Sequence, residues 1–472
     1  AKQAKKMGET DTLKQNGSAN EKIYSGDNAL QDNGGLRGSQ IHRRALGLTY
    51  MGGMSVLGIV VIGMETNLVD IAALCNVSVQ TVSIALILRS VGSVLGSFSS
   101  ACLMLKTPPH YLVFVFVALM GLLLLAVPFT TNDMAVDAIF GGFGFAIPVT
   151  QAAIQFLTCQ VFKDKAGPWL QGNSLAMSAG TVLVPTIHYY LGMTWGYAGL
   201  AALAGVLSLL GFLCRPPAAA PAPAAAAAPA DPQEAAAAAG GSKKAAGGAT
   251  RVDYCIGFML FWIAGCIVST TSYLKSYIPD VGLGGAVEPD ALLAVFMVLC
   301  IAGQLVALAL QAGMGLRQLR AQMSLLFGFG MLSMVVVLAF PSSKMVLWIS
   351  ILIYGFCVGP LYGYVFDLWN RSTEVTEMGS AVVIFGVAGS GVFSYLTHTI
   401  WLAVGSCSVL MVVNGLSFAV AWVILAYMGG MPGKTVSTEG SSLELKNRRS
   451  FSHEKDGPAR GRGESYGIAD HI

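Results

Sequence analysis

Two ionisable residues stand inside apolar sequence that should exclude them. Glu65 lies in ALGLTYMGGMSVLGIVVIGMETNLVDIAAL (residues 45–74) and Arg89 in QTVSIALILRSVGSVLGSFSSACLML (residues 80–105). A charged group in hydrocarbon costs a few kcal/mol or more, so it persists only when it is paired or faces water. Counting from Arg44 at one membrane edge, Glu65 is 21 residues along, about 31 Å of helix; Arg89 is 17 residues from Lys106, about 25 Å. The two heights agree to about one helical turn, which allows a Glu65–Arg89 pair. Four roles are open to it. The carboxylate can take up a proton or hold sodium, with Arg89 tuning its pKa, or the guanidinium fork can bind an anionic substrate. Arg89 can instead reach Asp70 as an outer gate, or the pair can simply hold two helices together.

Other chemistry is excluded by the residue patterns. There is no phosphate loop, no HExxH and no CxxC, and the glycine-rich Gly386–Gly391 falls inside an apolar segment instead of joining a strand to a helix. The nine cysteines are scattered singly, without disulfide or metal spacing. No enzyme activity, metal, cofactor or nucleic-acid partner is expected. His188 and His398, which can sense pH, read as interfacial residues beside Tyr189, Tyr190 and Trp401.

The elements that must position these groups are membrane helices. Of the 472 residues, 54% are hydrophobic and 11% charged, against about 25% charged in soluble domains. At about 20 apolar residues per crossing, twelve spans are expected, near 45–69, 80–105, 110–130, 134–161, 168–191, 196–214, 254–276, 290–312, 319–340, 345–368, 377–400 and 404–428. Residues 1–44 and 429–472 read as disordered cytoplasmic tails. Residues 216–250, rich in alanine and proline, read as a solvated linker between bundles at 45–215 and 251–428. With both termini inside, the inner side receives 25 Lys and Arg; the outer side holds only Lys275 and Lys344, and Arg89 lies within a span. The positive-inside rule favours that orientation.

Twelve spans in two sixes around a long central loop resemble the major facilitator superfamily. Local patterns agree: Asn67–Ser78 is similar to the end of that family's first helix and the turn after it, and Arg89–Gly96 to its glycine-spaced second helix. Tyr354–Pro360, Gly379–Gly386 and Leu170–Gly180 resemble, more distantly, the fucose permease and sodium-dependent glucose transporter branch. There are departures. The loop after span 2 has Ala101, Leu105 and Lys106 where the family carries a Gly, an Asp and basic residues, and span 4 has Ile147 where the branch carries a second acid.

The resemblance implies an all-α membrane protein with twelve transmembrane helices in two pseudo-symmetric six-helix bundles. It also implies a cavity lined by spans 1, 4, 7 and 10. The polar residues so implicated are Gln151 and Gln155 in span 4, Trp262, Thr270 and Tyr273 in span 7, and Tyr354 and Tyr362 in span 10, with Asn173 in span 5 and Gln304 in span 8. Amides pair with hydroxyls and aromatic rings cover sugar C–H faces, so this set suits a neutral polyhydroxylated ligand. The plainer reading of each residue is glue between helices. Pro148 and Pro360 correspond in the two halves as mid-span kinks. The expectation is a monomeric secondary transporter of the plasma membrane, among lipid, moving a small polar organic solute, hexose-like first. Coupling to H+ or Na+ runs through Glu65. An anion or amino acid carrier using Arg89, and a sensor that binds without transporting, are the alternatives.

Overall fold

The computed structural model describes residues 33–66, 68–77, 79–214, 248–285, 287–311 and 313–430. Nearly all of the expected linker and both expected tails fall outside these residues. The exceptions are their edges and residues 33–44, which are helical. The first helix thus starts at Asn33, ahead of the apolar run at Ala45 that marks it in the sequence. Gly34, Gly35 and Gly38 are poor helix formers and conceal that extension.

Within hydrocarbon every backbone N–H and C=O must be paired inside its own segment, which leaves the helix as the form for long apolar runs. No strand occurs among the described residues. Twelve rods run back and forth: α1 (Asn33–Thr66), α2 (Val79–Lys106), α3 (Pro109–Ala126), α4 (Asp133–Phe162), α5 (166–191), α6 (193–213), α7 (Arg251–Asp280), α8 (Pro289–Gln311), α9 (Leu316–Ala339), α10 (Lys344–Ser372), α11 (Glu377–Val404) and α12 (Ser408–Gly429). A short helix, Leu68–Cys75, joins α1 to α2. Helix starts follow their caps: Asn132 accepts from Met134 N, Ser343 from Val346 N, and Thr250 forms a reciprocal capping box with Asp253.

The stretch Ala166–Leu213 would be far too long for one crossing as a single rod. Gly192, at φ 70° and ψ 176°, breaks it into α5 and α6. The left-handed region it occupies costs glycine least. Eleven rods are long and apolar enough to cross a membrane. The one outside that set among the described residues is α5, which carries Gln171, Asn173, Ser174 and Ser178, all but Ser178 buried within the protein. Polarity there does not argue against a crossing, because the helix is enclosed by its neighbours.

The two six-helix halves repeat the same close crossings. A Cβ on Gly58 would strike Met177 O and one on Gly180 would strike Ser55 O, joining α1 to α5; Gly386 lies as tightly on Gly257 O, joining α7 to α11. Likewise Gly96 packs on Phe145 O and Pro148 between α2 and α4, and Gly303 on Phe356 O and Pro360 between α8 and α10. Small residues at such points let backbones meet. One end of the bundle, here the base, gathers Gly47 with Phe162 and Trp169, Tyr50 with His110, and Asp367 with Gly167. The opposite end is the rim, where Cys75 Sγ donates to Thr130 O at 3.7 Å.

Candidate functional site

Between the halves lies a cavity of about 1190 Å³, counting its open mouth. It is walled by α1, α2, α4, α5, α7, α8, α10 and α11. Helical phase decides which side chains reach it. On α7 the lining positions are Ala264, Ile267, Val268 and Thr271, a strict i, i+3, i+4, i+7 face. On α5 they are Ser174, Met177, Ser178 and Thr181, the same spacing. On α10, Gly359 and Tyr362 do the same at i, i+3.

The floor is a layer of hydrogen bonds that ties one half to the other. Gln304 Nε2 on α8 shares its hydrogens among Ser174 Oγ (3.0 Å), Ser178 Oγ (2.9 Å) and Gly359 O (3.1 Å). The Gly359 carbonyl can only accept, so it fixes which end of the Gln304 amide is nitrogen and leaves Oε1 as a buried acceptor with no partner among the described residues. Beside it Gln151 Nε2 on α4 donates to Tyr362 Oη on α10. The floor thus offers hydroxyl hydrogens from Ser174, Ser178 and Tyr362, and an acceptor from Gln304. Above it the walls are chiefly apolar, with Ile147, Met177, Ile267, Val268 and Met297.

Arg89 lines the same cavity, half-buried, and its Nη1 donates to Val61 O at 3.2 Å, linking α2 to α1. Glu65 is one turn past Val61 in α1, and Asp70 is in the short helix Leu68–Cys75. The side chains of both lie outside the described residues.

Of the nine residues expected to meet a ligand, Gln151, Gln304 and Tyr362 line the cavity, and six do not. Thr270 accepts from Asn414 Nδ2 (2.9 Å) and meets Tyr354 Oη (3.3 Å), while Ser269 donates to Asn414 Oδ1 (3.0 Å). This network binds α7, α10 and α12, and Tyr354 is further clamped between Phe296 and Phe418. Asn173 donates to Thr158 Oγ1 at 3.0 Å, joining α5 to α4. Trp262 packs edge-on against Phe258, Phe261 and Phe393. Tyr273 stacks on His398, with centroids 5.2 Å apart and planes at 6°, and meets Trp401 edge-on. Gln155 is buried one turn below Gln151. Ring faces for a sugar therefore reduce to Tyr362, and aliphatic walls replace the rest.

Sequence reasoning passed over Ser90, Ser93, Ser174, Ser178, Thr181 and Ser390, which supply most of the lining hydroxyls. For Ser174, Ser178 and Thr181 the signal was the low apolarity of span 5 combined with their i, i+4, i+7 spacing. Asp367, one of the polar residues of span 10, sits at the base instead. Its carboxylate accepts from Arg371 Nε (2.7 Å) and Nη2 (2.9 Å) and from Gln311 Nε2 (2.7 Å). It also lies against Gly167 in the first turn of α5, where a Cβ would come within 2.9 Å of both oxygens. Asn370 Nδ2 adds a bond to Lys163 O (3.0 Å). With Phe366, Trp369, Gln155 and Gln171 all buried, this layer seals the base.

No curated protein matches the chain. Among solved structures it is similar to the E. coli fucose:proton symporter FucP, at 14% identity and TM-score 0.60, covering 83% of this chain and 99% of that one. The proton:xylose symporter XylE bound to 6-bromo-6-deoxy-D-glucose aligns at 14% identity and TM-score 0.61, covering 84% and 97%. A bacterial homologue of the iron transporter ferroportin, in an outward-facing state with soaked iron, aligns at 12% and 0.60, covering 82% and 99%. These likenesses are of fold. Residues 45–397 match the family profile of the Major Facilitator Superfamily, well over half of the chain, and the chain belongs to that superfamily as a multi-pass membrane transporter.

Proposed function

We propose that this transporter carries a small neutral polyhydroxylated solute of hexose size by alternating access. The observation that carries this reading is the floor joining the halves, where Gln304 Oε1 offers an acceptor beside the hydroxyls of Ser174, Ser178 and Tyr362. A sugar hydroxyl is donor and acceptor at once and uses both kinds of group. The floor bonds Gln304–Ser174 and Gln151–Tyr362 must part for the solute to pass, which couples its binding to movement of the halves. The similar structures of FucP and XylE, described as symporters of fucose and xylose, are in keeping with this substrate class.

In this reading the base is cytoplasmic, following the Lys and Arg excess, and the cavity opens outward at the rim of a plasma-membrane protein. Glu65, one turn past the cavity residue Val61, couples transport to H+ or Na+. Uptake of L-fucose, D-xylose and D-glucose into proteoliposomes, with and without a pH or sodium gradient, tests the substrate class; flux of none of them rejects it. Glu65→Gln should abolish accumulation while sparing exchange, and unchanged pH and sodium dependence rejects the coupling role.

A second reading has one observation in its favour. Arg89 is the only side chain charged at neutral pH among the described lining residues, and aliphatic walls around one cation suit an organic anion with an apolar body. Arg89→Ala separates the two: a sugar carrier keeps affinity for its solute and an anion carrier loses it.

A further inference from the structure

The floor of the cavity is bonded across the halves, but the layer beneath it is not. Gln155 lies one turn along α4 from Gln151, and Gln171 one turn along α5 from Ser174, both toward the base. They are 1% and 0% exposed. Among the described residues neither amide, by oxygen or nitrogen, has a hydrogen-bond partner. The Gln171 amide rests on Gly363 of α10, where any Cβ would collide with it, so it faces the second half across the interface. Gln155 continues the face of α4 on which Gln151 meets Tyr362.

A buried amide without partners destabilises the state that buries it, and methionine would fill the same space without that cost. Amides that serve as links between helices behave differently here. Asn173 bonds Thr158, and Asn414 bonds both Ser269 and Thr270. Gln155 and Gln171 make no such bond among the described residues.

We propose that Gln155 and Gln171 form a second binding site for the carried solute, on the base side of the floor, closed in this conformation and used when the base opens. This rests on the substrate class argued above. Each amide brings two donor hydrogens and one acceptor oxygen, enough for the pair to take two hydroxyls of a neutral polyol as these leave Gln151 and Gln304. The cost of leaving the amides unpartnered also falls away as the base parts, which keeps the base-open state within reach of the closed one.

Gln155→Met and Gln171→Met, made singly in the full chain and reconstituted in liposomes, test this. Cys159, one turn beyond Gln155 on α4 and 5% exposed, is a native reporter of base opening, its alkylation followed by peptide mass spectrometry. Both variants should melt higher than wild type and alkylate Cys159 about tenfold more slowly. Affinity for L-fucose, D-xylose or D-glucose should fall about tenfold from the base side and stay within twofold from the rim side. A lower melting temperature, or unchanged Cys159 alkylation in Gln171→Met, makes the amides structural and overturns the proposal. Equal loss of affinity from both sides also overturns it, because the amides then belong to the cavity already described. If the wild type binds none of the three sugars, the hydroxylated substrate class falls. The melting and alkylation results still decide whether these amides act when the base opens.

Discussion

Asp367→Asn removes one charge from the base and changes nothing in shape. Its carboxylate is 1% exposed and accepts three hydrogen bonds, two from Arg371 and one from Gln311. An amide in its place must turn its nitrogen toward at least one of those donors. The cheaper arrangement puts the nitrogen at the Gln311 side, because Gln311 Oε1 has no partner among the described residues and the Gln311 amide can turn over to accept. What is then lost is one charge-assisted bond from Arg371 and the charge component of the other. A bond to a charged group contributes about 1.5–3 kcal/mol. The Arg371 side chain is 22% exposed, so water takes up part of the loss. The Arg371 and Gln311 bonds lie within the second half and survive opening, so their loss of about 2–3 kcal/mol is a cost in stability. What the closed base itself loses is the interaction of the charge with the positive N-terminal end of α5 at Gly167, about 1 kcal/mol, a shift of about fivefold toward base opening.

Alkylation of Cys159 in liposomes reads that shift directly, and it should speed up by the same order while the melting temperature falls. Gly167→Ala should act in the same direction from the opposite half, since its new Cβ would lie 2.9 Å from both carboxylate oxygens. Arg371→Lys should fall between wild type and Asp367→Asn, keeping the charge and losing the fork. If Asp367→Asn leaves both Cys159 alkylation and the melting temperature unchanged, the base is not held by this cluster and the reasoning fails.

Asn414→Ala strips partners from Ser269 and Thr270 and should lower stability by about 1–3 kcal/mol in a thermal melt, with solute affinity unchanged; a selective loss of affinity would return Thr270 to the binding site. Gly58→Ala and Gly386→Ala each drive a Cβ into a facing carbonyl, Met177 O and Gly257 O, and should cost several kcal/mol by overpacking, read as lost folded yield. Outside the spans, burial pushes the Cys75 and Cys407 thiols above their ordinary pKa, helped by Asp133 and Asp280 respectively. The thiolate is the reactive form, so at pH 7–8 both should alkylate more slowly than an exposed cysteine and gain rate only at higher pH; rates equal to those of a free thiol would contradict the burial.

The membrane crossings were legible because runs of apolar residues and the placement of Lys and Arg are properties of composition, which survive without knowing helix rotation. The least apolar crossing, α5, was still placed, between flanking spans that required it. The site was legible only in part. Arg89, Gln151, Gln304 and Tyr362 reach the cavity, whereas Trp262, Thr270 and Tyr273 share α7 with the lining residues but point elsewhere. In a soluble helix, the polar face marks the solvent side. In α7 the residues off the cavity are taken up by neighbouring helices, Thr270 by α10 and α12 and Trp262 and Tyr273 by α11, so polar and aromatic side chains are useful on either side.

That ambiguity is resolved by hydrogen-bond bookkeeping. A polar residue kept inside a bundle for structure should be paired in the structure, as Thr270, Asn173 and Asn414 are. One kept for a moving solute should have atoms left over in at least one conformation, as Gln155, Gln171 and Gln304 do. Three of the four amides with atoms left over, the fourth being Gln311 at the base, lie along one path through the contact between halves, from the floor at Gln304 toward the base at Gly363. At the base end of that path Asp367, its carboxylate paired by Arg371 and Gln311 of its own half, faces Gly167 of the other half. A gate gains by being satisfied when shut and a track by being satisfied only when occupied, but buried unpaired atoms such as Trp262 Nε1 also occur among packed rings, so it is an unpaired amide at the contact between the halves, and not the lack of a partner alone, that marks the track.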